Sequence, residues 1–149
     1  MKTMVNISNR SLSYRNILIL GCNGQDGSLL CHSLLKKGIK VIGITKNING
    51  KSNNHVHLGI ENDVEILECD ITNSKKLSKI IESYQPETIY NLAGQSSVGR
   101  SFTEPKETIK SIVYGTQTIL EIAKKLSFNG KIFFAGSGEM FGEINDKAS

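Results

Sequence analysis

The segment ILILGCNGQDGSLL, residues 17–30, constrains the fold more than any other feature of the chain. Residues 17–20 are continuously apolar and read as a buried strand. Gly21, Gly24 and Gly27 follow at three-residue spacing, and a helix opens near Gln25. The first glycine permits a tight turn, the second lets backbone approach a pyrophosphate, and the third lets helix and strand pack closely. The helix N-terminus beyond them offers unpaired N–H groups and a partial positive charge to that pyrophosphate. Three spaced glycines alone are a weak signal. Placed between a strand and a helix they read as a dinucleotide-binding loop, with Asn23, Gln25 and Asp26 as further candidate contacts.

The rest of the chain repeats the alternation. The first strand is expected at 16–20 and its helix at 25–37, with Gly38 as a C-terminal cap. KVIGIT at 40–45 is a second strand. Residues 46–63 are rich in Asn, Gly and Lys without an apolar period, and read as an exposed loop with at most a turn of helix. A third strand is expected at 64–68. The helix at 74–84 carries Leu77, Ile80, Ile81 and Tyr84 as an apolar stripe, and Pro86 stops it. A fourth strand at 88–92 leads to a long helix ending near residue 126, with Ile109, Ile112, Val113, Thr116, Leu120 and Ala123 on its inner face. Asn129-Gly130 turns into a fifth strand at 131–135. Such alternation implies an α/β, doubly wound parallel sheet of Rossmann type, in the order 3-2-1-4-5. Residues 1–14 read as a flexible arm. Residues 15–149 read as one dinucleotide-binding domain, truncated after its fifth strand and without a substrate domain.

Composition excludes several other classes. At 149 residues, 38% hydrophobic and 21% charged, the chain suits one soluble core. Its apolar runs fall far short of the roughly 20 residues a membrane helix needs. The polar first 15 residues lack a signal core, so a cytoplasmic location is expected. The formal charge of +4 comes from scattered lysines without an aromatic platform, which argues against nucleic acid. Cys22, Cys31 and Cys69 read as reduced thiols. His55 and His57 form a His-x-His pair that lacks a third metal ligand and is expected to be exposed; no metal site is expected.

The stretch Gly21-Cys22-Asn23-Gly24-Gln25-Asp26-Gly27-Ser28 resembles the extended short-chain dehydrogenase/reductases, and its Gln-Asp-Gly-Ser part resembles the GDP-mannose 4,6-dehydratases among them. The resemblance spans residues 15–149, matching only the N-terminal part of the family. It continues in Asn91-Leu92-Ala93-Gly94-Gln95-Ser96-Ser97-Val98, in Ser101-Phe102, Pro105, Gly115-Thr116 and Leu120-Glu121, and in Gly136-Ser137-Gly138-Glu139-Met140-Phe141-Gly142. Where the family has Asn or Asp three residues before that Gly115, this chain has Ile112.

The resemblance implies a cofactor and a reaction. Asp70-Ile71 resembles the adenine-contacting pair, although a turn or helix cap also accounts for Asp70. Leu92, Ala93, Gln95 and Ser96 would pass close to the nicotinamide ribose or the substrate diphosphate. After the second strand there is no carboxylate to bind a ribose 2′-hydroxyl, and Thr45 and Lys46 could hold a 2′-phosphate instead. The family carries arginines there and uses NADP, so NADP is expected; an ordinary loop lysine is the alternative reading of Lys46. Ser137 would hydrogen-bond the sugar 4-hydroxyl. Glu139 would act as acid/base, removing the C5 proton and helping water leave C6, once oxidation at C4 has made that proton acidic.

The expected activity of the intact relative is that of a lyase on a GDP-hexose, GDP-mannose by resemblance: C4 oxidation, C5–C6 water elimination, C6 reduction. The family's Tyr-x-x-x-Lys pair is missing, since none of Tyr14, Tyr84, Tyr90 and Tyr114 has Lys four residues later. The isolated chain is therefore expected to bind cofactor without turnover. The family pairs through helices flanking the fourth and fifth strands, which would make the long helix part of a homo-oligomer. Two alternatives stand beside this reading: an epimerase or reductase acting on nucleotide sugars, and a non-catalytic dinucleotide-binding module.

Overall fold

A computed structural model describes residues 16–48, 53–94 and 98–136. Five strands are all parallel: β1 (Asn16–Leu20), β2 (Lys40–Thr45), β3 (Glu65–Glu68), β4 (Thr88–Asn91) and β5 (Lys131–Phe134). Their order is β3-β2-β1-β4-β5, as the alternation of elements implies. Strand β1 lies at the centre, with Leu18 opposite Ile42 of β2 and Ile89 of β4.

The central strands are apolar at successive positions because both faces of the sheet are covered. Ile17 and Ile19 of β1 join Val41, Cys31 and Leu34 in one core, beneath α1 (Gln25–Leu35) and α2 (Asn53–Leu58). Leu18 and Leu20 join Ile42, Ile44 and Ile89 in the other. That second core is closed by Leu77 and Ile81 of α3 (Ser74–Tyr84) and by Ile119 and Ile122 of α6 (Gly115–Lys125). Each Leu or Ile fully withdrawn from water contributes about 1.5–3 kcal/mol.

Helix α1 ends two residues sooner than expected. Gly38 N–H donates to the Leu35 carbonyl and Ile39 N–H to the Leu34 carbonyl, the two bonds of a Schellman turn at Gly38. Helix α3 covers its expected span, and the Asn73 side chain accepts from the Lys76 amide to cap it. All three cysteines are free and buried; burial pushes the Cys22 and Cys31 thiols up to about 12, so neither is poised as a nucleophile.

Three expectations need correction. Residues 46–63 are more than an exposed loop: they include α2, and Ile60 sits in the α1-side core. His55 is buried at 2% exposure rather than exposed, because α2 packs against α1 and turns the ring inward; His57 is exposed. The long helix is interrupted. After α4 (Val98–Thr103), which no apolar period announces, the chain runs through α5 (Pro105–Ile109), a π-helical turn (Lys110–Tyr114) and α6.

Its inner face is also rotated from the expected one. Gly115, Thr118, Ile119 and Ile122 are buried, whereas Ile109, Val113 and Leu120 are each more than half exposed. The helix carries two apolar stripes, and periodicity alone does not choose which one meets the sheet. The stripe containing Gly115 wins because only a residue without a side chain lets the helix settle on Ile71. No helix among the described residues is long and apolar enough to cross a membrane.

Candidate functional site

In a sheet of this order the helix that follows β1 covers one face and the helices before and after β4 cover the other, so the loops at the strand ends diverge into a crevice. That crevice is a cleft of about 320 Å³. Its lining comes from the carboxyl ends of four strands: Gly21, Asn23 and Gly24 after β1, Thr45 and Lys46 at β2, Cys69 to Thr72 after β3, and Leu92 to Gly94 after β4. Glu107, Lys110 and Ser111 close it from α5 and the π turn.

The glycine loop is shaped by backbone contacts. Gly21 has φ +84°, and a Cβ there would lie 2.9 Å from the Leu92 carbonyl carbon. At Gly27 an added methyl would fall on the Gly21 carbonyl oxygen and 2.9 Å from Cys22 Cα. The loop is thus drawn against both β4 and its own helix. Gly24 is the N-cap of α1 and supplies no side-chain hydrogen bond. The first amides of the helix are left for a ligand.

Side chains fix the loop from below. Asn23 Nδ2 donates to Thr45 Oγ1 at 3.2 Å, tying the loop to the end of β2. Helix α2 adds two bonds to loop carbonyls, Asn54 Nδ2 to Asn23 O at 3.3 Å and His55 Nε2 to Cys22 O at 2.8 Å. A carbonyl can only accept, so His55 carries its proton on Nε2. Nothing in the sequence of the loop announces this buttress.

Asp70 accepts from both the Thr72 amide (2.9 Å) and the Thr72 hydroxyl (2.7 Å). Lys46 Nζ lies 3.5 Å from Asp70 and 3.8 Å from Glu107. Burial alone would raise the Asp70 carboxyl, but the Thr72 bonds, then Lys46 and Lys110, outweigh it and hold it below the usual carboxylate range. On the β4 side, buried Asn91 donates to Thr116 Oγ1 at 3.3 Å and accepts from the Ala93 amide at 3.3 Å. Ile112 comes against Gly94 from the π turn; the polar partner that Asn91 finds is Thr116.

Among the candidate residues, Gly21, Asn23, Gly24, Thr45, Lys46, Asp70, Ile71, Leu92 and Ala93 converge on the cleft. Gln25 and Asp26 are exposed on the first turn of α1, and Gly27 is buried beneath it; these three do not line the cleft. Gln95, Ser96, Ser137 and Glu139 lie outside the described residues, as does the arm at 1–14. Glu107, Lys110 and Ser111 were not legible as site residues, because their place depends on the π turn. No three His, Cys, Asp or Glu among the described residues are grouped to hold a metal.

Comparison with known proteins agrees with this geometry. The chain overlays on a UDP-glucose 4-epimerase crystallised with UDP-glucose from Thermotoga maritima, with TM-score 0.75, 27% identity, and coverage of 88% of this chain and 41% of that one. It shares its fold with a dTDP-glucose 4,6-dehydratase crystallised with NAD from Bacillus anthracis, with TM-score 0.72, 24% identity, and coverage of 90% and 41%. In sequence it is 35% identical over 136 residues to GDP-mannose 4,6 dehydratase 2 of Arabidopsis thaliana, covering 84% of this chain and 36% of that protein. It is 34% identical over 142 residues to human GDP-mannose 4,6 dehydratase, covering 89% and 38%. The chain thus spans just over a third of the length of these relatives. With residues 18–149 also matching the family model for GDP-mannose 4,6 dehydratase, the chain belongs to the GDP-mannose 4,6-dehydratase family.

Proposed function

We propose that these residues form the cofactor-binding part of a nucleotide-sugar 4,6-dehydratase, with NADP in the cleft and GDP-mannose as substrate. The observation that carries this reading is the cleft itself, where an uncapped helix N-terminus, a glycine loop and Lys46 converge at parallel strand ends. The cradle suits a diphosphate: a Cβ at Gly21 would strike backbone, so the loop surface that faces the cleft is main chain.

In this reading Gly21, Asn23 and Gly24 hold the pyrophosphate, helped by the main-chain amides of the α1 first turn at Gln25 and Asp26, while Gly27 packs that turn against the loop. Thr45 and Lys46 take the ribose 2′-phosphate, Asp70 and Ile71 face the adenine, and Leu92, Ala93, Gln95 and Ser96 border the nicotinamide ribose. Bound there, the nicotinamide supplies reversible hydride acceptance. Ser137 holds the sugar 4-hydroxyl. Glu139 removes the C5 proton and delivers one to the hydroxyl leaving C6, a task that suits a carboxylate once C4 is a ketone. We place the protein in the cytoplasm and assign the long helix to pairing with a second copy.

With no lysine four residues after any tyrosine, the 149 residues alone bind the cofactor without completing hydride transfer. Calorimetric titration of the purified chain with NADP and NAD tests the cofactor assignment, and incubation with NADP and GDP-mannose tests the division of labour. NADP is expected to bind more tightly, with no turnover. Tighter NAD binding would remove the role given to Lys46, and dehydratase turnover would show that these residues suffice for the reaction.

A further inference from the structure

One corner of the cleft gathers four charges that the glycine loop does not explain. Lys46 stands between Asp70, at 3.5 Å, and Glu107, at 3.8 Å. Lys110 follows Glu107 on the same helical segment and acts electrostatically on Asp70, and all four side chains border the cleft. Two cations against two carboxylates leave this corner without net charge.

The two carboxylates are not equivalent. Asp70 is held by the amide and hydroxyl of Thr72 and is two-thirds buried. Glu107 sits on an exposed turn with 58% of its side chain accessible, and its ion pair is the longer one. Exposed pairs of this kind are weak and easily exchanged. Glu107 is therefore the partner that Lys46 can release.

Its position depends on the π turn. Eight residues of regular α-helix would rotate Glu107 about 80° away from Gly115, which is fixed against Ile71. The extra residue absorbed by the π turn cuts that offset to about 20°, so Glu107 and Gly115 share the side of the helix that faces sheet and cleft.

We propose that Glu107 is a specificity-determining residue of this corner: its carboxylate occupies Lys46 in the absence of a phosphate, and a 2′-phosphorylated ribose must displace it. A bare 2′-hydroxyl carries no charge and leaves the Lys46–Glu107 pair intact. A 2′-phosphate needs Lys46 for itself and brings a second anion beside Glu107, so it bears a cost the hydroxyl does not. Lys46 favours the phosphorylated dinucleotide, and Glu107 limits by how much. The inference rests on the dinucleotide reading of the cleft.

Two small probes isolate this corner, adenosine 2′,5′-bisphosphate and adenosine 5′-monophosphate, which differ only in the 2′-phosphate. Calorimetric titration of the 149-residue chain would compare the wild type with Glu107→Gln, Lys46→Gln and the double variant. Glu107→Gln is expected to tighten the bisphosphate about two- to fivefold, the range of an exposed ion pair, with the monophosphate unchanged. In the Lys46→Gln background the same substitution is expected to gain less, because only the repulsion between Glu107 and the phosphate remains to be relieved. An unchanged ratio of the two affinities in Glu107→Gln, or tightening that is just as large without Lys46, would overturn the proposal while leaving the dinucleotide site standing. A wild-type chain that binds neither probe would overturn the dinucleotide reading, and the proposal with it.

Discussion

Two strand-to-helix connections frame the cleft from either side of the switch point, and they are built on different principles. After β1 the chain turns through four residues, Gly21 to Gly24, into α1, and its shape is dictated by backbone contacts: Gly21 lies against Leu92, and Gly27 of α1 against Gly21. After β4 the chain takes a longer course through α4, α5 and the π turn before α6 docks. Its shape is dictated by what it meets, Gly115 on Ile71 and Thr116 beside Asn91. The first connection is specified locally and has little room to adjust. The second is specified by packing, and a change in its partner can accommodate a change in the helix.

Gly27→Ala should have the largest effect and would break the first connection. The added methyl would meet the Gly21 carbonyl and Cys22 Cα, backbone atoms that no rotamer change can move. Overpacking of this kind costs about 2 to 3 kcal/mol. Urea denaturation should show the loss, and dinucleotide affinity should fall with it; a variant with wild-type midpoint and affinity would mean the loop is less constrained than its contacts indicate.

Gly115→Ala should be milder and can be relieved. Its methyl would run into the far end of the Ile71 side chain. The clash is opposed by a gain in helix propensity of about 1 kcal/mol, which leaves a net loss of about 1 kcal/mol. In an Ile71→Ala background the obstruction is gone, and the same substitution should then stabilise the chain by about 1 kcal/mol. This change of sign is a direct measure of coupling between the two residues. Additive effects would show that Gly115 and Ile71 do not constrain each other.

The same contrast explains what could be read from sequence. The β1 connection was legible because residues 17–20 have no polar alternative and the three glycines admit few backbone paths. The strand order followed from the alternation of strands and helices, and α3 from its stripe at Leu77, Ile80, Ile81 and Tyr84. The second connection was not legible. A 3.6-residue period run through residues 109–123 gives a continuous inner face at Ile109, Val113 and Leu120, but the π turn and Ile71 select another one. Glu107 joins the cleft only through that shift of register, and its sequence context, PKETIK, looks like any solvated helix start. His55 was misread for a related reason: polar neighbours suggest a surface loop, and its partner, the Cys22 carbonyl, is 33 residues away in the chain.

His55 gives the smallest of the three effects and sharpens the comparison, since it makes the buried one of the two bonds by which α2 holds the glycine loop. Its Nε2–H donates to Cys22 O at 2.8 Å inside the protein, and its Nδ1 has no hydrogen-bond partner. The ring therefore contributes one directed bond to the loop carbonyl in addition to the volume it fills. Removing the donor with His55→Leu leaves that carbonyl unpaired, at a cost of about 1 kcal/mol. His55→Gln can place an amide N–H where Nε2 stood and restore the bond at reduced volume. If the bond positions the loop, dinucleotide affinity should fall about threefold to tenfold in the leucine variant, a free-energy change of roughly 1 kcal/mol, and recover in the glutamine variant even where stability does not. If the ring acts only as packing, affinity should follow stability, and glutamine should be no better than leucine. The second outcome would leave the His55 bond no part in the geometry of the glycine loop, and Asn54 as the side chain through which α2 holds it.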